Sequence, residues 1–345
     1  MSGVFSTFNV AKRGMSVQQK AIDVTSHNIA NAGTTGYSRQ RVKVETTRPM
    51  TVNGVGGAGQ IGTGAQVAAI ERVRDNFLDY QVRGETSNLG KYDARTQFLS
   101  EVESIFNEPS DTGISTLMGK FFDSFQELSK QPNSSNARTV VAQQTAALAD
   151  ALNTTATQLE KLKNNAQELI QTSVTEVNSL LTQLDALNKE IINVSVAGNA
   201  PNDLMDKRDS LIDQLSYKLN LTVDKKSFNG VDIKPQDTGK MHLATMVNSN
   251  PHGETTRLSY VASVEKEDSI NDGNYIITYY KNGNMDSEEN KQTVKVTGLS
   301  EAQAKEILEN RVVWANSEGQ LIKADGHAIS NGETILASEF MSFTP

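Results

Sequence analysis

Apolar residues recur every seven positions near the start of the chain. No proline occurs between residues 4 and 32, and Phe8, Met15, Ile22 and Ile29 stand seven apart, with Val4 and Ala11 four residues ahead of the first two. That spacing predicts an amphipathic helix. Val10, Val17 and Val24 form a second row, ~200° round the same helix at ~100° per residue. A helix with apolar rows on two sides needs two cores to bury them.

Residues 51–64, TVNGVGGAGQIGTG, are too rich in glycine for a regular element and predict a loop, after which AQVAAIERV alternates like a short strand. Asp75 is placed to cap a helix carrying Leu78, Val82, Leu89, Tyr92, Leu99, Val102 and Ile105, stopped by Pro109 and Gly113. A shorter helix follows with Leu117, Phe121, Phe125 and Leu128 on one face. From residue 137 to Gly198 there is neither glycine nor proline, which permits one helix of about sixty residues, on the order of 90 Å long. Its apolar seam steps four and three in turn through Leu148, Leu152, Thr155, Leu159, Leu162, Ala166 and Leu169, and again from Val177 to Val194, the period of a coiled coil. Two successive steps of four at Leu169, Ser173 and Val177 mark a stutter between the runs. A last helix, PNDLMDKRDSLIDQLSYKL, is expected to be capped by Asp203 and to bury Leu204, Leu211, Leu215 and Leu219.

Beyond about Val223 the pattern changes. TRLSYVASV, NYIITYY, QTVKV and RVVWA are rich in β-branched and aromatic residues, Asn229-Gly230 and Asn282-Gly283 signal short turns, and EAQAKEILEN is the one clear helix. The fold class expected is therefore α+β: an N-terminal helix and a long antiparallel, coiled-coil-like helical bundle, followed by a β-rich domain. The boundaries expected are 1–50 for the first helix and the Asn/Gly segment after it, 51–222 for the bundle, and 223–345 for the β-rich outer domain.

At 345 residues the chain is long enough for more than one core. A net charge of −8 and a pI near 5.2 argue against a broad nucleic-acid or anionic-membrane surface, which needs a basic excess. The absence of cysteine removes disulfides, thiolate metal sites and cysteine nucleophiles. Lys12 and Arg13 interrupt the first twenty residues, so no Sec-type signal peptide is visible, and no stretch has the length of a transmembrane helix.

Candidate chemistry is sparse. Gly57, Gly59 and Gly62 satisfy G-x-G-x-x-G, but a dinucleotide loop needs an apolar strand before it and a helix opening at its last glycine, whereas a strand-like segment follows here. Asp268, Asp272 and Gly273 echo a calcium loop, yet Ile270 and Tyr279 stand where oxygen ligands are required. His27, His242, His252 and His327 lack the spacing of a zinc pair. Asp206, Asp209 and Asp213 share a helix face and are expected to be solvated there, relieved by Lys207 and Arg208. No catalytic residue, cofactor site or metal site is assigned.

One segment stands out against this background: SHNIANAGTTGYSRQ, residues 26–40. It resembles the N-terminal signature of the flagellar axial proteins (rod, hook and hook-associated), in which a terminal helix ends in Asn-Ile-Ala-Asn followed by a Thr-Gly-aromatic turn. The Tyr-Ser-Arg-Gln continuation is similar to the hook-associated members, whereas rod and hook proteins more often continue with Phe-Lys. AIERVRDNFLDYQVR (69–83), EPSDTGISTLMGKFFDSFQELSKQP (108–132) and NAPNDLMDKRDSLIDQLS (199–216) resemble the helical domain of those members, in the same order.

The resemblance implies a non-enzymatic structural adaptor between flagellar hook and filament, exported unfolded without a Sec signal peptide to the extracellular flagellum. Its implied partners are other copies of itself in a ring or tube, the hook protein, hook-associated protein 3 and the flagellar export apparatus, with no nucleic acid, membrane or cofactor. Phe8, Met15, Ile22, Ile29, Val17 and Val24 are then the assembly residues: one row packs within the subunit, the other on neighbours. Asn28 and Asn31 cap the helix end, Gly33 and Gly36 allow left-handed turns, Tyr37 anchors the returning chain, and Arg39 belongs to the same joint. The family returns through a C-terminal helix that carries export-chaperone binding; nothing of that kind follows Pro345, so a chain shorter than its relatives is expected. A hook or rod subunit is the alternative of the same class, and a nucleotide- or metal-using enzyme that of another.

Overall fold

The computed structural model describes residues 3–54, 57–106, 113–236, 245–267, 273–323 and 326–344. In chain order these form α1 (Gly3–Ala30), β1 (Gln40–Thr46), β2 (Met50–Gly54), β3 (Gly57–Ile61), β4 (Ala65–Arg72), α2 (Asn76–Phe106), α3 (Ile114–Lys130), α4 (Ser135–Val196), α5 (Asn202–Lys218), β5 (Leu221–Lys225), β6 (Val231–Pro235), β7 (Thr256–Lys266), β8 (Tyr275–Tyr280), β9 (Lys291–Thr297), α6 (Glu301–Asn310), β10 (Val312–Asn316), β11 (Thr334–Leu336) and α7 (Ala337–Phe340). The class is α+β, with long helices first and a β-rich part after them. Two compact units are built from interleaved stretches of chain: Met1–Thr86, Ser179–Thr238 and Leu243–Thr256 in the first, and Ser87–Asn178, Gly239–His242 and Arg257–Pro345 in the second.

In the first unit α1 packs on the antiparallel pair β1 and β4, which are in register from Gln40 opposite Arg72 to Thr46 opposite Ala65, with a bulge at Lys43/Val44. The glycine-rich stretch, expected to be a loop, is instead an antiparallel hairpin of β2 and β3. A strand ladder needs only backbone N–H and C=O groups, so small side chains weaken it without forbidding it. Gly57 and Gly59 lie in that hairpin, and Gly62 leads into β4 rather than into a helix.

The 62-residue α4 begins where Ser134 Oγ accepts from Ala137 N. It ends in a paired-bond cap: Gly198, at φ 82°, donates to Ser195 O, and Asn199 N donates to Val194 O. From Ser179 onward its seam residues Leu184, Leu187 and Ile191 are buried in the first unit, as are Ile212 and Leu215 of α5 and Ile233 of β6. Asp203 does not cap α5. The cap position is Pro201, without a side-chain bond, and Leu204 and Leu219 are only half-buried. The apolar period of α5 locates its buried face correctly but not its first residue.

In the second unit five strands form one sheet in the order β10-β7-β8-β9-β11, with β9 and β11 parallel. Strand β8 alternates as a half-buried strand should, burying Tyr275, Ile277 and Tyr279. Its core continues through Val294 and Val296 of β9, Ile307 of α6 and Phe340 of α7. Ser300 caps α6 in a reciprocal box with Gln303. Asn178 of α4 bonds both backbone groups of Leu258, donating to its O at 2.7 Å and accepting from its N at 3.0 Å.

Asp75 Oδ1 accepts from Phe77 N at the start of α2. The apolar row of α2 is nonetheless open: Leu78, Val82, Leu89, Tyr92 and Leu99 are exposed within this chain. Periodicity reveals which side of a helix is apolar and is silent on what covers it. Pro109, His242, Asp268 and Asp272 lie outside the described residues.

Candidate functional site

The first helix divides its two apolar rows cleanly. Val17 and Val24 are 6% and 8% exposed on the side that packs on β1 and β4. Phe8, Met15, Ile22 and Ile29 are 59–72% exposed. Arg13 ties the buried side to the strands, its Nη1 donating to Thr63 O at 3.0 Å and to Thr47 Oγ1 at 3.4 Å.

At the helix end the chain reverses into β1 through a joint built from α1, β1, β4 and α5. Val73 N bonds to Arg39 O, one residue before the Gln40–Arg72 pair, so the N–H and C=O of Gln40 point away from β4. Asn28 meets them both: its Nδ2 donates to Gln40 O at 2.8 Å, and its Oδ1 accepts from Gln40 N at 2.8 Å. The same Oδ1 accepts from the Tyr37 hydroxyl at 2.8 Å. Asn28 thus acts as a fragment of β-strand carried on a helix. Of the two asparagines expected to cap the helix, Asn31 does so, donating to His27 O at 3.0 Å. Burial and the charges of Asp203 and Asp206 raise the Tyr37 pKa above its ordinary value. The ring also stands edge-on to His27 at 5.5 Å.

Gly36 adopts φ 83°, and a Cβ there would lie 3.4 Å from Ser210 Cβ. Gly33 is not left-handed and has open space around it, contrary to expectation. The side chain of Arg39 is exposed and makes none of the joint's hydrogen bonds; only its carbonyl takes part.

Sequence reasoning missed the other half of the joint. Ser38 N donates to Asp206 Oδ2 at 3.0 Å, Gln40 Nε2 to Asp203 Oδ1 at 3.0 Å, and Asn202 Nδ2 to Ile70 O at 2.9 Å. Asp206 and Asp209 do not lie on a solvated face, although Asp213 keeps 47% of its side chain exposed. Asp206 and Asp209 are buried, and Arg72 Nη1 lies 2.7 Å from the first and 2.8 Å from the second. Arg83 reaches Asp209 at 3.3 Å and Asp213 at 2.7 Å, while Arg74 lies 3.7 Å from Asp209. Burial alone would raise the Asp209 pKa, but Arg74, Arg72 and Arg83 hold it below the usual carboxylate value. The i, i+3, i+7 spacing of the aspartates was visible in the sequence. Their partners stand 126 to 137 residues away, beyond the reach of any local pattern.

The first helix thus has one apolar row packed within the chain and one exposed, with its end held by a polar joint. Comparison with known proteins defines the class first: the family described as Flagella basal body rod protein matches residues 8–37, most of α1 and the turn that follows it as far as Tyr37. The family described as Flagellar hook-associated protein FlgK helical domain matches residues 99–313. The chain belongs to this flagellar hook-associated FlgK family. It is 39% identical over 260 residues to Flagellar hook-associated protein 1 of Bacillus subtilis, covering 72% of this chain and 51% of that protein. The protein of the same name from Salmonella typhimurium is 29% identical over 245 residues, covering 70% of this chain and 41% of that protein. This chain therefore spans about half the length of the curated relatives it matches. A solved structure of the flagellar hook junction protein FlgK from Burkholderia pseudomallei is similar at 18% identity and a TM-score of 0.46, over 70% of this chain and 38% of that one.

Proposed function

We propose that this chain is an adaptor subunit at the junction of flagellar hook and filament, working by assembly with copies of itself and without catalysis. The observation that carries this reading is the division of α1. Val17 and Val24 are used inside the subunit, whereas Phe8, Met15, Ile22 and Ile29 form an apolar stripe that the described residues leave exposed. Such a stripe is costly to leave exposed and marks a surface for association. In this reading residues 1–50 supply the polymer-facing helix and its joint, 51–222 the helical bundle and 223–345 the outer β-rich domain. Hook protein lies on one side and hook-associated protein 3 on the other, outside the cell, after export through the flagellar apparatus.

The test separates folding from assembly. In Met15→Ser/Ile22→Ser the monomer should unfold at the same denaturant concentration as the parent chain, yet fail to form rings or tubes by electron microscopy and fail to restore filaments in a strain lacking the gene. Normal assembly by this variant refutes the proposal. Labelled copies confined to the hook–filament boundary support the adaptor; copies distributed along the hook or rod support the alternative axial role.

A further inference from the structure

Beside α1, within the first unit, runs an open groove of about 1040 Å³. One wall is α1 over residues 5–17, and the other is the segment 47–50 together with the start of β4. Its floor is apolar: Val17 is buried, and Val10 and Val67 are half-buried. Phe5 and Met50 stand at its rim, both exposed. Among the described residues no carboxylate lines the groove, whereas two arginines do. Arg13 bonds there to neutral oxygens alone, Thr63 O and Thr47 Oγ1. Arg48 is exposed and forms no ion pair among the described residues.

The features that complement this groove lie on another side of the same helix. Phe8, Met15, Ile22 and Ile29 form the exposed row, ~200° round α1 from Val10 and Val17. Next to Ile22 stands Asp23, the one carboxylate of α1, exposed and bonded among the described residues only by Gln19 Nε2 at 3.1 Å. An apolar row flanked by an acid without a cation matches an apolar groove flanked by cations without an acid. The lengths agree as well, since the groove follows α1 for about 18 Å and the step from Met15 to Ile22 is about 10 Å at ~1.5 Å per residue. Row and groove face nearly opposite ways, so one molecule cannot fill its own groove with its own row.

Resting on the assembly reading above, we propose that the groove receives α1 of a second copy of this chain, with Met15 and Ile22 of that copy seated between Phe5 and Met50 and its Asp23 on Arg48. Two unlike patches meet in such a contact, so every copy has one patch to give and one to receive. The contact therefore does not close as a twofold dimer but continues into a ring or a tube. The apolar side chains supply the burial, and the charge pair sets the register, because sliding the row along the groove parts Asp23 from Arg48.

The chain has no cysteine, so introduced thiols report the contact directly. Full chains carrying Asp23→Cys and Arg48→Cys singly are mixed, assembled onto isolated hooks and treated with a short bis-maleimide. Cross-linked pairs containing one of each are expected, and none when Lys305→Cys takes the place of Arg48→Cys. Asp23→Arg and Arg48→Asp, both at exposed positions, should keep the parent's thermal midpoint as monomers yet each raise the concentration needed for assembly about tenfold. The double variant Asp23→Arg/Arg48→Asp should bring it back. Assemblies that form without the cross-link, or a double variant no better than either single one, overturn the proposal. The assembly reading itself fails by a different result, normal assembly of Met15→Ser/Ile22→Ser; if that variant cannot assemble while both charge reversals behave as the parent, the groove pairing alone is wrong.

Discussion

Replacing Asn28 by Ala removes three hydrogen bonds at one stroke: to Gln40 N, to Gln40 O and from the Tyr37 hydroxyl. Gln40 is buried, and its backbone groups face away from β4, so nothing else in the ladder takes them over. A buried backbone group stripped of its partner costs about 1–3 kcal/mol. Asn28 itself is only half-buried, so water reaches part of the gap and the low end applies to each group. The expected loss is about 2 kcal/mol, centred on the joint, and corresponds to roughly 30-fold faster exchange of the Gln40 amide. Hydrogen exchange of that amide, followed by NMR with the Val42 to Val44 amides as internal reference, measures it. Asn28→Asp keeps the acceptor but loses the donor to Gln40 O, and should fall between the parent and Asn28→Ala. If Gln40 exchanges in Asn28→Ala as slowly as in the parent, the asparagine does not hold the strand and the account of the joint is wrong.

Asp209 sits among three arginines with its pKa held below the unfolded value, so the stability it contributes is present above the ordinary aspartate range and is lost as pH falls through its folded value. Urea unfolding should therefore weaken below about pH 4, and Asp209→Asn should cost about 3–5 kcal/mol at pH 7 by leaving buried arginines uncompensated, with the acid dependence flattened. Gly36→Ala should destabilise by about 1 kcal/mol in denaturant titration, because φ 83° disfavours any Cβ, while Gly33→Ala should be neutral or slightly stabilising. Val17→Ala and Val24→Ala should each lower the stability of the isolated monomer by about 1–2 kcal/mol, and a calorimetric scan that finds no change would show that α1 does not pack on β1 and β4 in solution.

How much was legible beforehand depended on the range of the interaction. Two apolar rows on α1 were visible in seven-residue spacing, but both rows look alike in sequence, and only the packing of β1 and β4 separates Val17 and Val24 from Met15 and Ile22. Asn28 stood out as part of a motif, yet its role could not be read, because an asparagine that caps a helix and one that pairs with a strand share the same local pattern. The strand-mimicking bonds of Asn178 to Leu258 and of Asn188 to Val231 escaped notice for the same reason. Gly36 and Gly33 were indistinguishable until backbone angles separated them.

The sequence by itself determined what local physics decides: the uninterrupted run that becomes the 62-residue α4, the alternation of β8, the capping box of α6 and the family signature at residues 26–40. Such features depend on neighbours within a few positions, and their energies act before the chain has a shape. Only the tertiary structure decided that Asp206 and Asp209 of α5 are buried against Arg72, Arg74 and Arg83, that one face of α1 is covered and the other exposed, and that Arg208 Nε is buried without a hydrogen-bond partner. Charge pairing and burial are properties of distance in space, and residues more than a hundred positions apart acquire that distance only when the chain has folded.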